Sequence, residues 1–452
     1  MRRMWGVTTI NLFSLLPTAA PGAARPRAPL ARGAGPAAGP ALDDHPLAGR
    51  TVLQIIPELE AGGAERTAVD VAAGLAAVGA RALVATEGGR LVGELQARGG
   101  AWVAFPARTK NPVAMLVNVR RLARICHEEG VALVHARSRA PAWVALGAAR
   151  ALNLPFVTTY HGAYAGRSQV KVLYNSVMAR GDAVIANSHY TADMIRSSYP
   201  WAAERIRVVH RGTDLSSFSG LNVAPERVER LRRAWGVAPH ERVVLLAARL
   251  TAWKGQRVLV EAAARLRAAG LSDVGFVLAG DPQGRDGYVR ELDALIDRHG
   301  LSGIVRRVGH CADMPAAFLA ASVVVVPSTL PEAFGRSAVE AQAMGTPVVV
   351  SDLGAVPETV LAPPAVEGSA RTGWRVPAGD AAALAEAVGT AINLGASARE
   401  ALAARARRHV EQHFSLESMV GRTLDLYAEL IGAKPASGPA SGLRRSPAGR
   451  SP

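Results

Sequence analysis

The stretch "PEAFGRSAVE" (residues 331–340) places two glutamates, Glu332 and Glu340, on either side of a Phe-Gly pair. It follows the apolar run "SVVVVPS", which predicts a buried strand, and it precedes a helical pattern. Two carboxylates at such a strand-to-helix turn could contact a ligand, because loops at strand ends often carry binding residues. "SAVE" also fits a Ser-x-x-Glu capping box, in which Ser337 and Glu340 would simply start the helix. These residues alone leave both interpretations open.

A second loop, "ARLTAWKGQ", carries two cations that could bind an anion. Arg249 ends a predicted strand, and Lys254 follows five residues later. Such a pair can hold a diphosphate and balance the charge that grows on it as a bond breaks, although solvated loop cations are the alternative. The sequence contains no Asp-x-Asp pair, the kind of carboxylate cluster that would hold a diphosphate through a divalent metal. We therefore expect basic side chains and backbone N–H groups to take that role, with no metal and no other cofactor.

Three further loops contain residues suited to a binding site. Two adjacent glycines, Gly62 and Gly63, would let the backbone of "ELEAGGAER" approach a phosphate at a helix start, although a plain turn is the alternative. His161 in "TTYHG" directly follows a predicted strand, where an imidazole could meet a ligand, and a structural histidine is the alternative. Gly280, in "LAGDP", occupies the corresponding loop of a later strand.

The order of apolar and helical patterns predicts an α/β fold with two parallel sheets. Fully apolar runs such as "TVLQIIP" (51–57) alternate with Ala-rich helical patterns, and the same rhythm restarts at "RVVLLAARL" (242–250). Strands of this kind are covered on both faces, as in parallel sheets. Two successive series imply two doubly wound domains, whose ligands bind beyond the carboxyl ends of the strands. The loops described above follow predicted strands and are therefore expected at such ends.

The length of 452 residues exceeds what one ordinary core needs, so two domains with flanking tails are expected. Segments rich in Pro, Gly, Ala and Arg predict disordered tails at both ends, because they cannot bury a core. The predicted boundaries are a tail over 1–49, a first domain over 50–215, a second domain over 216–412, a closing helix over 413–432 and a tail over 433–452. The two cysteines, Cys126 and Cys311, lie far apart and fit a reducing compartment.

The net charge of +15 is distributed unevenly along the chain. Residues 50–215 hold twenty basic and twelve acidic residues, whereas residues 216–433 hold twenty-three of each. This asymmetry predicts an anionic partner for the first half, either a membrane surface or an acidic substrate. We expect no nucleic acid partner.

With these residues assembled, the chain resembles the retaining glycosyltransferases of family four, also called glycosyl transferases group 1. The similarity runs from about residue 51 to about residue 430. Its most specific part is the run from Glu332 to Val349, which fits the family pattern E-x-F-G-x-x-x-x-E-A-x-A-x-G-x-P-V-V. The resemblance implies the GT-B fold, in which two Rossmann-like domains face a cleft and a C-terminal helix crosses back to the first domain.

The resemblance also implies a role for each matching position. Arg249 and Lys254 would bind the diphosphate of the donor, Glu340 the ribose hydroxyls and Glu332 the hydroxyls of the transferred sugar. His161 would lie beside the reacting centre. The implied catalytic residues are His161, Arg249, Lys254 and Glu332, and the implied substrate-binding residues are Gly62, Gly63, Gly280, Phe334, Gly335 and Glu340. One departure is Arg211 in "RGTD", which stands where many members have Asn and would add a donor near the cleft.

The implied activity is transfer of a sugar from a nucleoside diphosphate sugar to a glycan or glycolipid, with retention and without a metal. A nucleotide-sugar 2-epimerase and a non-catalytic nucleotide-sugar-binding module of the same fold are the alternatives. We expect a cytoplasmic protein, peripheral at the inner face of the cytoplasmic membrane, that acts in cell-envelope polysaccharide or lipopolysaccharide biosynthesis. The basic residues expected to face an anionic acceptor or membrane surface are Arg120, Arg121, Arg124, Arg167, Lys171 and Arg180. A solvated basic face is the alternative there.

Overall fold

The structure, a computed structural model, describes residues 45–60, 62–162 and 168–433. Apart from a few residues at their inner edges, the predicted tails lie outside these ranges. Residues 45–49 form a turn in which Leu47 is fully buried, so ordered structure begins before the expected boundary at residue 50.

Seven parallel strands form the first sheet, in the order β3-β2-β1-β4-β5-β6-β7. Their bounds are β1 Thr51–Ile55, β2 Arg81–Thr86, β3 Ala101–Ala104, β4 Val131–Ala136, β5 Phe156–Tyr160, β6 Ala183–Ala186 and β7 Ile206–Val208. The connecting helices are α1 Gly63–Ala77, α2 Val92–Ala97, α3 Pro112–Glu128, α4 Arg139–Ala151, α5 Gln169–Asn175 and α6 His189–Ser198. Every residue of β1, β5 and β6 is buried, because helices cover both faces of the sheet.

Six parallel strands form the second sheet, in the order β10-β9-β8-β11-β12-β13. Their bounds are β8 Arg242–Ala247, β9 Val274–Ala279, β10 Val305–Gly309, β11 Val323–Val326, β12 Val348–Ser351 and β13 Trp374–Val376. The helices of this part are α7 Pro225–Ala234, α8 Gln256–Ala268, α9 Asp286–Arg298, α10 Met314–Ala320, α11 Arg336–Ala343, α12 Val356–Thr359 and α13 Ala381–Ile392. The prediction of an α/β fold with two parallel sheets is confirmed. Because β8 and β11 are neighbours, the loops that follow them lie side by side.

The last two helices, α14 (Ala396–His413) and α15 (Leu416–Ala433), return the chain to the first sheet. The closing helix begins at Leu416 rather than at residue 413, because α14 extends to His413 and a short turn follows it. Helix α15 packs against α1 and places the fully buried Tyr427 beside His135 of β4. Among the described residues, no helix is long and apolar enough to cross a membrane.

The carboxylate of Glu358 joins the half of the molecule built on the second sheet to the half built on the first. Glu358 of α12 accepts hydrogen bonds from the backbone N–H groups of His189 and Tyr190, both at 2.7 Å, in the first turn of α6. Its Oε2 also lies 3.1 Å from Nε2 of His210. Burial raises the pKa of Glu358, but these hydrogen bonds, first among them the one with His210, outweigh burial and hold the pKa below its ordinary value. Glu358 therefore caps α6 from the opposite half of the molecule.

Candidate active site between the two sheets

The loops after β8 and β11 bring Lys254 into contact with Glu332, which are 78 positions apart in the sequence. Lys254 Nζ lies 2.5 Å from Glu332 Oε1, and Ser328 Oγ donates to the same oxygen at 2.6 Å. The ammonium also lies 4.3 Å from the centre of the Trp253 ring. Both partners are largely buried, so the ammonium has a fixed position and retains further N–H donors for an anion.

Tight packing between neighbouring loops explains two of the glycines. Gly255 has φ +77°, and a Cβ there would overlap the carbonyl oxygen of Pro327. A Cβ at Gly280 would overlap the carbonyl oxygen of Ala248, while its N–H donates to Gly309 O at 2.7 Å. The predicted role of Gly280 in substrate binding stays a prediction, since loop packing already requires a glycine at this position.

Arg249, the second predicted cation of the β8 loop, is exposed. Its backbone carbonyl accepts a hydrogen bond from Nε2 of the fully buried Gln256 at 2.9 Å, which fixes the backbone of this loop. The guanidinium therefore projects from an anchored backbone into solvent, where an anionic ligand can reach it.

The Phe-Gly pair between the two glutamates shapes the start of α11. Phe334 is buried and its ring meets that of Phe414 edge-on, with centroids 5.5 Å apart. Gly335 has φ +83° and is the N-cap residue of α11. The Phe334 side chain therefore anchors the loop from behind, and its predicted contact with a ligand can involve only its backbone.

The capping-box interpretation of "SAVE" is wrong. The N-cap residue is Gly335, and no side chain caps the helix. Because Gly335 turns the chain with a positive φ, Ser337 already lies inside the first turn, and its Oγ donates to Ala247 O at the end of β8, at 3.0 Å. Glu340 instead accepts a hydrogen bond from Arg336 Nη2 at 2.8 Å and is 7% exposed. The carboxylate of Glu340 is thus available for a side-chain role other than capping.

The side chain of Arg336, from α11 on the second sheet's side, reaches the start of α1 on the first sheet's side. We call the space between these two helix starts the cleft. A Cβ built on Gly63 would lie 3.2 Å from Arg336 Nη1 and 2.7 Å from Arg211 Nη1. Gly63, the first residue of α1, thus lies against two guanidinium groups, one from each half of the molecule. Gly62, its exposed neighbour, is the N-cap residue of α1 and provides no side-chain cap.

His161 forms its hydrogen bond with Arg211, on the first-sheet side of the cleft. Arg211 Nη2 lies 3.1 Å from His161 Nδ1. A guanidinium can only donate, so Nδ1 accepts and the neutral imidazole carries its proton on Nε2. Burial, followed by the charges of Arg211 and Arg137, holds the pKa of His161 well below its ordinary value. His161 is therefore a neutral hydrogen-bond donor, and its buried Nε2 has no partner among the described residues.

A buried polar network lies beside His161, around a small cavity that both share. His135 Nδ1 lies 2.5 Å from the hydroxyl of Tyr427, and His135 Nε2 lies 2.7 Å from Thr159 Oγ1. Arg137, 3% exposed, donates from Nε to Gln54 Oε1 at 2.7 Å, while its Nη2 has no partner within the part of the chain that is described. A cavity of about 20 Å³, large enough for one water, is lined by residues that include Thr67, His135, Arg137, Thr159, His161, Asn187 and Arg211.

Three arginines of this region had no role in the sequence-based prediction. Arg211 was noted only as a departure from a family pattern, and Arg336 stands at a variable position of the Glu-to-Glu motif. Arg137 directly follows the apolar run "VALVHA", so the rule that ligands bind at the carboxyl ends of strands could have identified it. The contact between Arg211 and His161 could not be read from the sequence, because the two residues are 50 positions apart.

The one group of three metal-type side chains found among the described residues lies outside the Lys254–Glu332 region. It consists of His189, His210 and Glu358, at the junction between α6 and α12. The hydrogen bonds of Glu358 to α6 and its contact with His210 account for this grouping. We therefore attribute a structural role to it.

The chain is similar to known glycosyltransferases in sequence and in fold. Residues 61–217 match the family model for Glycosyltransferase Family 4, and residues 227–409 match the model for Glycosyl transferases group 1. The crystal structure of a glycosyltransferase from Rickettsia africae shares 30% sequence identity with a TM-score of 0.77, covering 85% of this chain and 99% of that one. Anabaena Alr3699/HepE, solved in complex with UDP-glucose, shares 27% identity with a TM-score of 0.70, covering 85% and 100%.

Curated relatives match a smaller share of their length. A D-inositol 3-phosphate glycosyltransferase from Jonesia denitrificans is 33% identical over 242 residues, which is 52% of this chain and 54% of the relative. A protein of the same name from Mycobacterium tuberculosis is 33% identical over 266 residues, or 57% and 50%. The chain thus spans about half the length of these relatives.

Proposed function

Because this chain belongs to glycosyltransferase family 4 and has the GT-B fold, we propose that it transfers a sugar from a nucleoside diphosphate sugar to a glycan or glycolipid acceptor. The observation that carries this proposal is the fixed contact of Lys254 with Glu332 beside the glycine-capped start of α11. It places an ammonium, for phosphate, next to a carboxylate, for sugar hydroxyls. The UDP-glucose in the Anabaena structure supports a nucleotide-sugar donor.

The residues divide the donor among them. Lys254 and Arg249 bind the diphosphate, Glu332 accepts from hydroxyls of the transferred sugar, and Glu340 accepts from the ribose. Glu332 pairs with Lys254 through Oε1, and Glu340 pairs with Arg336 through Oε1, so Oε2 of each carboxylate can accept from the ligand. Backbone N–H groups of the Phe334–Gly335 turn and the first turn of α1 add donors for the sugar and the phosphates.

Transfer proceeds with retention and without a metal. The acceptor hydroxyl oxygen bonds to the anomeric carbon from the face on which the diphosphate leaves, as the bond from that carbon to the phosphate oxygen breaks. The hydroxyl proton passes to that phosphate oxygen. Lys254 and Arg249 stabilise the charge that develops on the leaving group, and His161 donates from Nε2 beside the reacting centre. A covalent intermediate on a carboxylate is the alternative, and we assign no nucleophile to it.

The exposed face of α3 supports an acceptor at an anionic membrane surface, such as an envelope glycolipid of the lipopolysaccharide type. Arg120, Arg121 and Arg124 are all exposed there. The same helix exposes Leu116 and Val117, each 59% accessible, so basic and apolar side chains occur together as in interfacial helices. These features support the proposal that the protein is peripheral at the inner face of the cytoplasmic membrane.

The other three basic residues of the predicted surface differ in how free their charges are to meet a membrane. Lys171, on α5, is exposed between Val170 and Val172 and extends the same kind of surface. Arg180 stacks on the rings of Trp143 and Trp201, each 5.7 Å from its guanidinium carbon, so its charge is partly engaged. Arg167 lies outside the described residues.

Vesicle binding tests the membrane proposal. The triple variant Arg120→Glu, Arg121→Glu, Arg124→Glu should lose co-sedimentation with vesicles that contain anionic lipid, and wild-type binding should weaken at high salt. Three exposed arginines of the second half provide the matched control triple: Arg257→Glu, Arg290→Glu, Arg298→Glu. Binding that survives reversal on α3 would contradict the proposal.

A donor panel tests the activity. The full chain is incubated with nucleoside diphosphate sugars, with and without a glycolipid extract and a phosphorylated polyol, and release of the diphosphate is followed. Acceptor-dependent release is expected, together with a glycosylated product of retained configuration. Conversion of the donor to its epimer without transfer would favour the 2-epimerase alternative, and binding without turnover would favour the non-catalytic one.

A further inference from the structure

The first-sheet side of the cleft concentrates positive charge around Arg211. Its Nη2 donates a hydrogen bond to His161 Nδ1, and its Nη1 faces Gly63, the first residue of α1. The Nη1 of Arg336, from α11, lies near the same glycine. The buried Arg137 lines the same small cavity as Arg211 and His161. Three guanidinium groups thus gather beneath and beside the start of one helix.

Acidic side chains compensate this charge incompletely. Arg336 is paired with Glu340 at 2.8 Å, but the described residues place no carboxylate within ion-pair distance of Arg211 or Arg137. A guanidinium removed from water without a partner carries a large desolvation cost, which an anionic ligand would offset. Burial lowers the pKa of Arg211 to about 10, so the group is still charged at neutral pH.

The start of α1 adds uncommitted donors to this charge. The helix is 15 residues long and has no side-chain cap, so N–H groups of its first turn are open to an anion. The carboxylate of Glu65 folds back to within contact of Gly62 and is the nearest acidic group on that helix. Arg137 and Asn187 line the small cavity that Thr67 of α1 also borders. Arg137 Nη2 and both amide atoms of Asn187 are buried and have no partner among the described residues.

We propose that Arg211, Arg336 and the first turn of α1 form a phosphate-group subsite on the first-sheet side of the cleft. The cavity lined by both Arg137 and Arg211, which is large enough for one water, connects the subsite to Arg137. This inference rests on the proposed function and extends it to Arg211 and Arg336, which have no role there. The phosphate group comes either from the donor's diphosphate or from a phosphorylated acceptor. Glu65 occupies the entrance when the subsite is empty and moves aside when the anion binds.

Binding of simple anions to the full chain tests the subsite without any knowledge of the sugar. Inorganic phosphate and pyrophosphate are titrated separately by thermal shift, and phosphate is titrated again with pyrophosphate saturating. The variant is Arg211→Asn. The matched control is Arg207→Asn, which changes an exposed arginine in the middle of β7 that donates to Glu204 O and has no recognised contact with Gly63 or His161. Arg211→Lys keeps the charge and serves if the Asn variant folds poorly.

Wild type and Arg207→Asn should bind the anions alike, and Arg211→Asn should bind at least one of them about tenfold more weakly, as expected for loss of a charge-assisted bidentate contact. Phosphate binding that persists beside saturating pyrophosphate and depends on Arg211 identifies the acceptor's phosphate. Phosphate binding that pyrophosphate abolishes identifies the donor's diphosphate. If both anions bind Arg211→Asn as tightly as wild type, the subsite does not exist.

Two further readouts separate this inference from a purely structural role and from the proposed function. Glu65→Gln should tighten phosphate binding, because it removes the competing carboxylate, and a structural role for Arg211 predicts no such change. Failure of transfer with every donor would overturn the proposed function while leaving the anion titrations intact. Transfer by wild type with unaltered anion binding by Arg211→Asn would overturn only the subsite.

Discussion

The two sides of the cleft treat their cations differently. On the second-sheet side, Lys254 lies 2.5 Å from the Glu332 carboxylate and stacks on Trp253. On the first-sheet side, Arg211 donates to the neutral imidazole of His161, and Arg137 donates to the amide oxygen of Gln54. Lys254 is therefore compensated before any ligand binds, whereas Arg211 and Arg137 carry positive charge that a ligand must neutralise.

The same contrast appears in the whole sequence. The excess of basic over acidic residues outside the tails lies in residues 50–215, and residues 216–433 are balanced. A compensated cation holds its geometry through protein contacts, and an uncompensated one binds anions more strongly at the expense of stability in their absence. The comparison suggests that the second half positions the donor and the first half supplies attraction for anions.

The largest effect is expected at Lys254. Lys254→Ala should lower the transfer rate by about 100- to 1000-fold, because the donor that stabilises the leaving diphosphate is lost. Steady-state kinetics with a saturating acceptor measures it, and Lys110→Ala, at an exposed lysine of the first half, is the control. A rate within a few-fold of wild type would remove Lys254 from the chemistry and the second-sheet side from its assigned role.

Substitution of a glycine by alanine should have different effects on stability on the two sides of the cleft. Gly255→Ala should destabilise the protein by roughly 3 kcal/mol or more, because its Cβ would meet backbone at a positive φ. Gly284→Ala has a similar φ of +75° with no atom nearby, so it isolates the conformational cost of about 1 kcal/mol. Gly63→Ala should change stability by less than about 0.5 kcal/mol yet weaken anion binding, since its Cβ meets only movable arginine ends.

Urea denaturation of the three glycine variants, with pyrophosphate titration of the folded ones, provides the measurement. A Gly63→Ala variant as unstable as Gly255→Ala would show that backbone packing, rather than ligand approach, requires glycine on both sides.

Glu358, which joins the two halves, should make the free energy of unfolding depend on pH in the acid range. Because the pKa of Glu358 is lowered in the fold, its contribution is fully present above the ordinary value of 4.5 and is lost as the pH falls through the lowered value. Glu358→Gln should reduce the free energy of unfolding by about 1–3 kcal/mol at pH 7. The difference from wild type should shrink below pH 4.5.

Denaturation at pH 7 and at pH 3.5 measures this effect, and Glu367→Gln, at an exposed glutamate, is the control. An equal difference at both pH values would mean that the ionised carboxylate is not what joins the halves.

The smallest effect is expected from the network below the first-sheet side. Tyr427→Phe removes the hydroxyl 2.5 Å from His135 Nδ1 and leaves a buried ring nitrogen unpaired. We expect a loss of about 1–2 kcal/mol in the free energy of unfolding. Tyr190→Phe, at a half-buried tyrosine of α6, should have a smaller effect. Urea denaturation compares the two, and equal losses would mean that the network contributes nothing specific.

Prediction from the sequence succeeded where local pattern and spacing carried the information. The apolar runs identified β1, β5, β8 and β11 because a strand covered on both faces is apolar at most of its positions. The pattern from Glu332 to Val349 gave the family, which the comparisons confirm. The short edge strands β7 and β13 were not predicted, since three residues provide too little pattern.

The candidate site was predicted unevenly for a physical reason. The family resemblance named Glu332 and Lys254 but not their contact. The capping box failed because the positive φ of Gly335 shifted the helix start. Arg211 gained its importance only when β5 and β7 brought it to His161.

By itself, the sequence determined which backbone segments become buried strands and which loops follow them, because burial and glycine geometry are local properties of residue type. Tertiary structure alone decided which charges meet. Coulomb energy and desolvation depend on distance and burial between residues far apart in the chain, so the pairing of Lys254 and the isolation of Arg211 exist only in the folded protein.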